Sequence, residues 1–379
     1  MSANSEQEHR FFDAVKSGNL DQVRVAVASD SALLGARDGN SFGGPALNLA
    51  IFRNDREMVD TLLELGADPN LESDWWAGPW VPVQCALAVG QLDLAEHLVE
   101  KGAQIGVHEA AGLSRIDDLN RLLAETPQRV HQRGGDGCTP LHFAGSTEVV
   151  DLLLKHGADI DARDVDHYST PAQYLAKFNP PVARHLFARG AAVDVFALIL
   201  AGDLPRLKQL IQSDPTVLQQ RINRETFPHG PDHEVDNIMT FTVGHNSTPM
   251  HAAATAERLK IIDALIETGC EVDATGGYDE STALHLAAWN DSLEVAKKLV
   301  EAGADINKRS GEIHNNSPAG WAIVAGSAEV FGYLMDQGAE NLDHFRTDAE
   351  ASLHGEHLQY KCVPMENYQK IMERFELDN

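Results

Sequence analysis

Cysteine is scarce in this chain, and nowhere is it paired. Cys85, Cys138, Cys270 and Cys362 are too scattered for the close spacing of a zinc or redox site. Reduced thiols in a cytoplasmic protein are the expectation. No run of 18 apolar residues occurs, so no helix is expected to span a membrane, and the N-terminal MSANSEQEHRFF has no signal-peptide core. Basic residues are in short supply, with 30 Lys and Arg against 57 Asp and Glu, a net charge of −27. Such a field repels nucleic-acid phosphates and anionic membranes and favours partners with a basic surface. Linear catalytic signatures are also missing: there is no G-x-S-x-G, phosphate-binding glycine loop, H-E-x-x-H or paired-cysteine metal motif. No cofactor or metal is therefore expected. An enzyme is not thereby removed, because acid–base groups brought together from different repeats leave no linear trace.

What the chain has instead is periodicity. Thr282 to Asn307, TALHLAAWNDSLEVAKKLVEAGADIN, reads as two short helices. The first opens at Thr282 with His285 in its first turn. The second carries Leu293, Val295, Ala296, Leu299 and Val300 at helical spacing and stops at Gly303. The same rhythm recurs at CTPLHFAGSTEVVDLLLKHGADIDARD (Cys138 to Asp164), STPMHAAATAERLKIIDALIETG (Ser247 to Gly269) and PALNLAIFRNDREMVDTLLELGADPN (Pro45 to Asn70). The histidine position holds Asn48, Gln84, His108, His142, Gln173, Phe196, His251, His285 and Gly320 in turn.

The pattern resembles the ankyrin-repeat family, whose signature T-P-L-H-x-A recurs about every 33 residues. The resemblance implies an all-α solenoid of about ten helix–turn–helix units over residues 9–341, with short finger hairpins between units. Residues 342–379 are expected to cap it, with Tyr368, Ile371, Met372 and Phe375 on one helical face, and Phe11 and Phe12 belong to a degenerate first unit at the other end. In this family the Thr and His of each unit are folding residues, so His108, His142, His251 and His285 are expected to be structural.

Candidates for function therefore lie where the repeat fails. Two joints have no room for a hairpin, since Gln84 and His108 are 24 residues apart and Gln173 and Phe196 are 23. The inner helix of the fifth unit is shortened after Ala144. One long loop, 224–246, is inserted before His251, and its Pro228, Gly230 and Pro231 oppose helix formation. His229, His233 and His245 in that loop are weak catalytic candidates, and Pro231 within the His229–His233 pair argues against helical metal-ligand geometry. A finger at ESDWWAGPWVP concentrates Trp75, Trp76 and Trp80, three of the five tryptophans, and tryptophan is enriched at binding hot spots. Trp289, Tyr278, Asp279 and Glu280 complete an expected aromatic and acidic concave face. The leading expectation is an intracellular interaction module that binds a basic protein through this face and its fingers. The alternative is a small-molecule binder or enzyme, with an acid–base or metal-assisted site where the 224–246 insert meets the groove.

Overall fold

A computed structural model describes residues 3–230, 235–313, 315–340 and 365–377. The chain divides into two compact units, Met1–Ala192 with His229–Val235, and Val193–Pro228 with Asp236–Asn379. The division falls at the second of the two joints that lack a finger. Both units are all-α repeat stacks, in agreement with the fold class read from the pattern.

In unit one the helices Ala3–Lys16 and Leu20–Ser29 form the degenerate first repeat, and Phe11 and Phe12 are both buried there. The inner helices Ala46–Phe52, Pro82–Ala88, Val107–Gly112 and Pro171–Phe178 follow, with a single 3-10 turn at Pro140–Phe143 in the fifth place. Each is followed by an outer helix: Arg56–Glu64, Leu92–Glu100, Ile116–Glu125, Thr147–Lys155 and Pro180–Ala188. The core is the seam between successive inner helices and their outer partners, where Leu62, Leu98, Leu123 and Leu153 are completely buried. Leucines at three- and four-residue spacing put one apolar stripe on each outer helix, and no repeat can cover that stripe alone. The short fifth helix has a local cause. The Gly145 amide donates to Ala111 O (3.0 Å), and a Cβ on Gly145 would lie 2.3 Å from Gly112 O, so the backbones meet where helix would otherwise continue.

Unit two stacks the inner helices Val195–Ala201, Pro249–Thr255, Ala283–Asn290 and Pro318–Ala325, with outer helices Leu204–Ser213, Leu259–Glu267, Leu293–Glu301 and Ala328–Asp336. The helix Met365–Leu377 closes its end. Tyr368 and Ile371 are buried, the Tyr368 hydroxyl donates to Val324 O (3.2 Å), and Asn367 Nδ2 donates to Gly326 O (2.9 Å). Residues 342–364, part of the expected capping segment, lie outside the described residues, as does the Phe375 side chain.

Two expectations are corrected. Among the described residues only Arg37–Asp38 and Gly44–Pro45 pair as an antiparallel hairpin, and the Gly276–Ser281 bridge is a single contact. The other fingers are loops closed by backbone hydrogen bonds outside any strand, such as Ser73 N to Trp80 O (3.0 Å) and Ser310 N to Asn316 O (2.9 Å), with side chains adding to them. The 224–246 insert is also not wholly irregular, because Ile238–Val243 is a helix capped by Asn237, whose Oδ1 accepts from Met239 N (3.1 Å). Among the described residues 224–230, which include Pro228, there is no helix. In the second half Ile238, Met239 and Val243 supply apolar side chains that are buried in unit two.

Candidate functional site

The histidine position of the repeat is occupied by folding residues. Thr139 N donates to His142 Nδ1 (3.1 Å), so the ring proton sits on Nε2, which donates to Ser169 O (3.1 Å) at the start of the next repeat. His251 repeats the arrangement with Thr248 N and Ser281 O (2.8 Å), and His285 with Thr282 N and Asn316 O (2.9 Å). Burial pushes the His142 ring down to about 3 and the His251 and His285 rings to about 4, so all three are neutral at physiological pH. His108 is lowered by the same cause and bonds Gln132 O and Cys138 O. Gln84 and Asn48 do similar work without a titrating ring: Gln84 bridges Glu109 and Gly135 N, and Asn48 donates to Trp80 O.

The tryptophan finger splits in two. Trp80 is corrected from an exposed binding residue to a core one, because it is only 7% exposed, lies edge-on to Phe52 and Phe143, and donates its indole N–H to Asp136 Oδ1 (2.8 Å). Trp75 and Trp76 stay near the surface, Trp75 half-buried and Trp76 45% exposed. Phe42, from the tip of the first finger, joins them: its ring meets Trp75 edge-on at 4.7 Å and is 61% exposed. The three rings, with Arg37, Asn40 and Asp74, line an open depression. Phe42 was not among the sequence candidates. Its backbone is left-handed (φ 56°), unusual for an aromatic residue, and pairing of Asp38 with Gly44 turns the loop toward the next finger.

The second aromatic group belongs to unit two. Trp289 is half-buried with its ring edge-on to the buried Trp321 (5.8 Å), and Tyr278, 60% exposed, lies 6.4 Å from the same ring. Asp279 is corrected from a groove carboxylate to a bracket between fingers, since Oδ2 accepts from Ser310 Oγ and Oδ1 from Ile313 N, both at 3.0 Å. Glu280 is exposed. In the insert, His229 Nδ1 bonds Gly230 O (2.8 Å) within unit one. His245 is an exposed residue of unit two, and His233 lies outside the described residues.

Sequence reading missed a cluster in unit one. Asp136, from the loop entering the fifth repeat, meets Asp164, Asp166 and His167, from the loop entering the sixth. Asp136 O accepts from the amides of Val165 (2.9 Å) and Asp166 (3.1 Å), which fixes the two loops together. His167 Nε2 lies 3.9 Å from Asp136 Oδ2 and 3.7 Å from Asp166 Oδ2. Burial raises the Asp136 carboxyl to about 6, with Asp166 and Asp164 adding to the rise and Trp80 and His167 opposing it. The cluster spans about one repeat period, so no linear motif marked it. The available signal was Asp-x-Asp-His at 164–167, in register with Asp136.

Comparison with known proteins places ankyrin-repeat family models on residues 195–310 (three copies) and 136–165 (one repeat). Curated relatives include the putative palmitoyltransferase ZDHHC13 of Danio rerio, 27% identical over 204 residues, which are 50% of this chain and 29% of that protein. Another is the nuclear factor NF-kappa-B p105 subunit of Gallus gallus, 28% identical over 216 residues, 51% of this chain and 21% of that one. The chain thus spans less than a third of the length of these relatives. Among solved structures, the human ASB11 ankyrin repeat domain is 24% identical, with a TM-score of 0.42, covering 63% of this chain and 100% of that one.

Proposed function

We propose, from the premise that the chain is an ankyrin-repeat protein, that it holds a protein partner through the aromatic finger of unit one. Ankyrin repeats are in general protein-interaction modules, and the observation that selects this surface is the exposed ring group Phe42, Trp75 and Trp76. Phe42 and Trp76 keep large solvent-exposed areas, and a group of exposed apolar rings marks an interaction site. Tryptophan supplies contact area at little conformational cost, and an aromatic face attracts Lys and Arg side chains. Asp74 and Glu72 are exposed on the same finger, and the net charge of −27 favours the same sign of partner. A basic segment is therefore the partner chemistry that fits. Tyr278 and Glu280 in unit two offer a second patch of like character.

The test is quantitative capture of partners by the full chain, compared with Trp76→Ser combined with Phe42→Ser and, separately, with Glu280→Lys. Both changes lie on exposed side chains, so the fold should survive, and circular dichroism checks this. The double variant is expected to lose its specific partners about tenfold or more, in the range of an aromatic hot spot. Undiminished capture by the double variant would remove the finger from the interaction.

A further inference from the structure

Two groups of metal-ligating side chains occur among the described residues, Cys138 with His142 and Asp164, and Asp136 with Asp166 and His167. They lie in the same two loops but differ in what their donor atoms are already doing. In the first group His142 spends both ring nitrogens on Thr139 and Ser169. Asp164 spends both oxygens on the amides of His167 (2.5 Å) and Ser169 (3.0 Å). Burial holds the Cys138 thiol well above its usual range, so it is a neutral thiol and not a thiolate ligand. That group is a folding device.

The second group differs at its two carboxylates. Asp166 is 92% buried by its 8% exposure, and its carboxylate accepts no hydrogen bond from any described residue; its one close partner is His167. Asp136 commits only Oδ1, to the Trp80 indole, and that bond aims Oδ2 at His167. No Lys or Arg forms an ion pair with Asp136, Asp164 or Asp166 among the described residues, although all three are buried or nearly so. Buried carboxylates are ordinarily paired or coordinate a cation. The side chains of Asp136 and His167 keep 13% and 14% exposure, which leaves a way in from solvent.

We propose that Asp136 Oδ2, an oxygen of Asp166 and His167 Nε2 bind one divalent transition-metal ion between the loops of the fifth and sixth repeats. Two carboxylates and one imidazole suit Zn²⁺, Mn²⁺ or Co²⁺ better than the all-oxygen preference of Ca²⁺ or Mg²⁺. The ligand atoms lie within 4.8 Å of one another. Ligands about 2.1 Å from a metal stand roughly 3 to 3.5 Å apart, so the observed 3.7 and 3.9 Å require a contraction of a few tenths of an ångström. Trp80 acts as the outer partner that orients Asp136, as second-shell groups commonly do for ligating carboxylates. Three protein ligands leave the remaining positions to water. The bound ion would tie the loops of adjacent repeats through charge, beside the Asp136 O bonds to the Val165 and Asp166 amides.

The test uses the full chain freed of metal with a chelator, then titrated with MnCl₂ and followed by the spin resonance of free Mn²⁺, and with ZnCl₂ by calorimetry. With 17 histidines in the chain, weak binding elsewhere is expected, so the comparison with variants carries the result. One tight equivalent is expected in the native chain, weakened about tenfold or more in Asp166→Asn and in His167→Gln and unchanged in Cys138→Ser. Asp166→Asn preserves shape and removes a buried charge, so its metal-free urea midpoint should equal or exceed that of the native chain. Equal binding in native, Asp166→Asn and His167→Gln chains would overturn the site. So would the absence of binding tighter than about 1 mM, or a loss confined to Cys138→Ser. An Asp136→Asn variant repeats the comparison should either of the first two fail to fold.

Discussion

Thr282 gives its amide proton to His285 Nδ1, which seats the ring in the core, and burial there decides how the residue responds to acid. A protonated ring would carry a proton on Nδ1 pointing at another proton, inside a site that already disfavours charge. His251 and His285 fall to about 4 in the folded state, against about 6.5 in the unfolded chain, with burial as the main cause. Arg221 pushes His251 lower, while Asp279 pulls His285 slightly upward and His251 opposes it. The folded pKa is depressed, so the unfolded state binds more protons between about pH 4 and 6.5. Stability is complete above that window and is lost as pH falls through it. Each histidine should cost about 2 kcal/mol on going from pH 7 to pH 5, read as a fall in the urea midpoint followed by tryptophan fluorescence. Gln173 shows how to isolate the effect. Its Oε1 accepts from Thr170 N at 3.0 Å, the same bond without a titrating ring. His251→Gln should therefore fold and flatten the pH profile, and an unchanged slope would contradict the assignment. Asp136 runs the other way: its folded pKa is raised, so its contribution is present at low pH and lost as pH rises through about 6. For that reason the measurement belongs on the histidines of unit two.

At the scale of elements, the repeat was legible because its determinants are local. Thr-x-x-His, the apolar stripe of each outer helix and the stopping glycine lie within 25 residues of one another, and each is required by backbone chemistry in the same repeat. The loops were less legible because their fate depends on what faces them. Trp80 and Trp76 are four residues apart in one finger, yet Trp80 is buried because Asp136 offers its indole a partner 56 residues away. Asp279 looked like a free acid until the following loop brought Ser310 and Ile313 to it. The helix Ile238–Val243 was hidden because the prolines before it dominated the reading of the insert. The closing helix Met365–Leu377 was foreseen from a single apolar face, and its importance can be measured. Tyr368 is 1% exposed and hydrogen-bonded to Val324 O, and the helix covers the last repeat. Tyr368→Ala should cost about 3 to 5 kcal/mol, within the range for removing a large buried ring. Hydrogen exchange should accelerate first in Ala328–Asp336, the helix it packs on. Acceleration spread evenly over the chain, or none, would show that this helix is not a cap.

For the molecule as a whole, the dominant fact is the excess of 57 acidic over 30 basic residues. The outer helices handle part of it locally through pairs such as Lys298 with Asp263 (2.6 Å) and Arg189 with Asp151 (3.4 Å), each linking one repeat to the next. The remainder is self-repulsion among like charges, which opposes the folded state and is screened by salt. Two effects of opposite sign follow from this one charge. Raising NaCl from about 20 to 200 mM shortens the screening length from roughly 20 Å to roughly 7 Å, so the thermal midpoint should rise. Over the same range association with a basic partner should slow, because long-range attraction is what accelerates encounter. Dissociation should change little if the aromatic rings of Phe42, Trp75 and Trp76 hold the partner, since apolar contact is insensitive to moderate salt. Stopped-flow association and dissociation rates at the two salt concentrations separate the contributions. A dissociation rate that rises as steeply as the association rate falls would mean that charge alone holds the complex, and the aromatic finger would lose its place in the interaction.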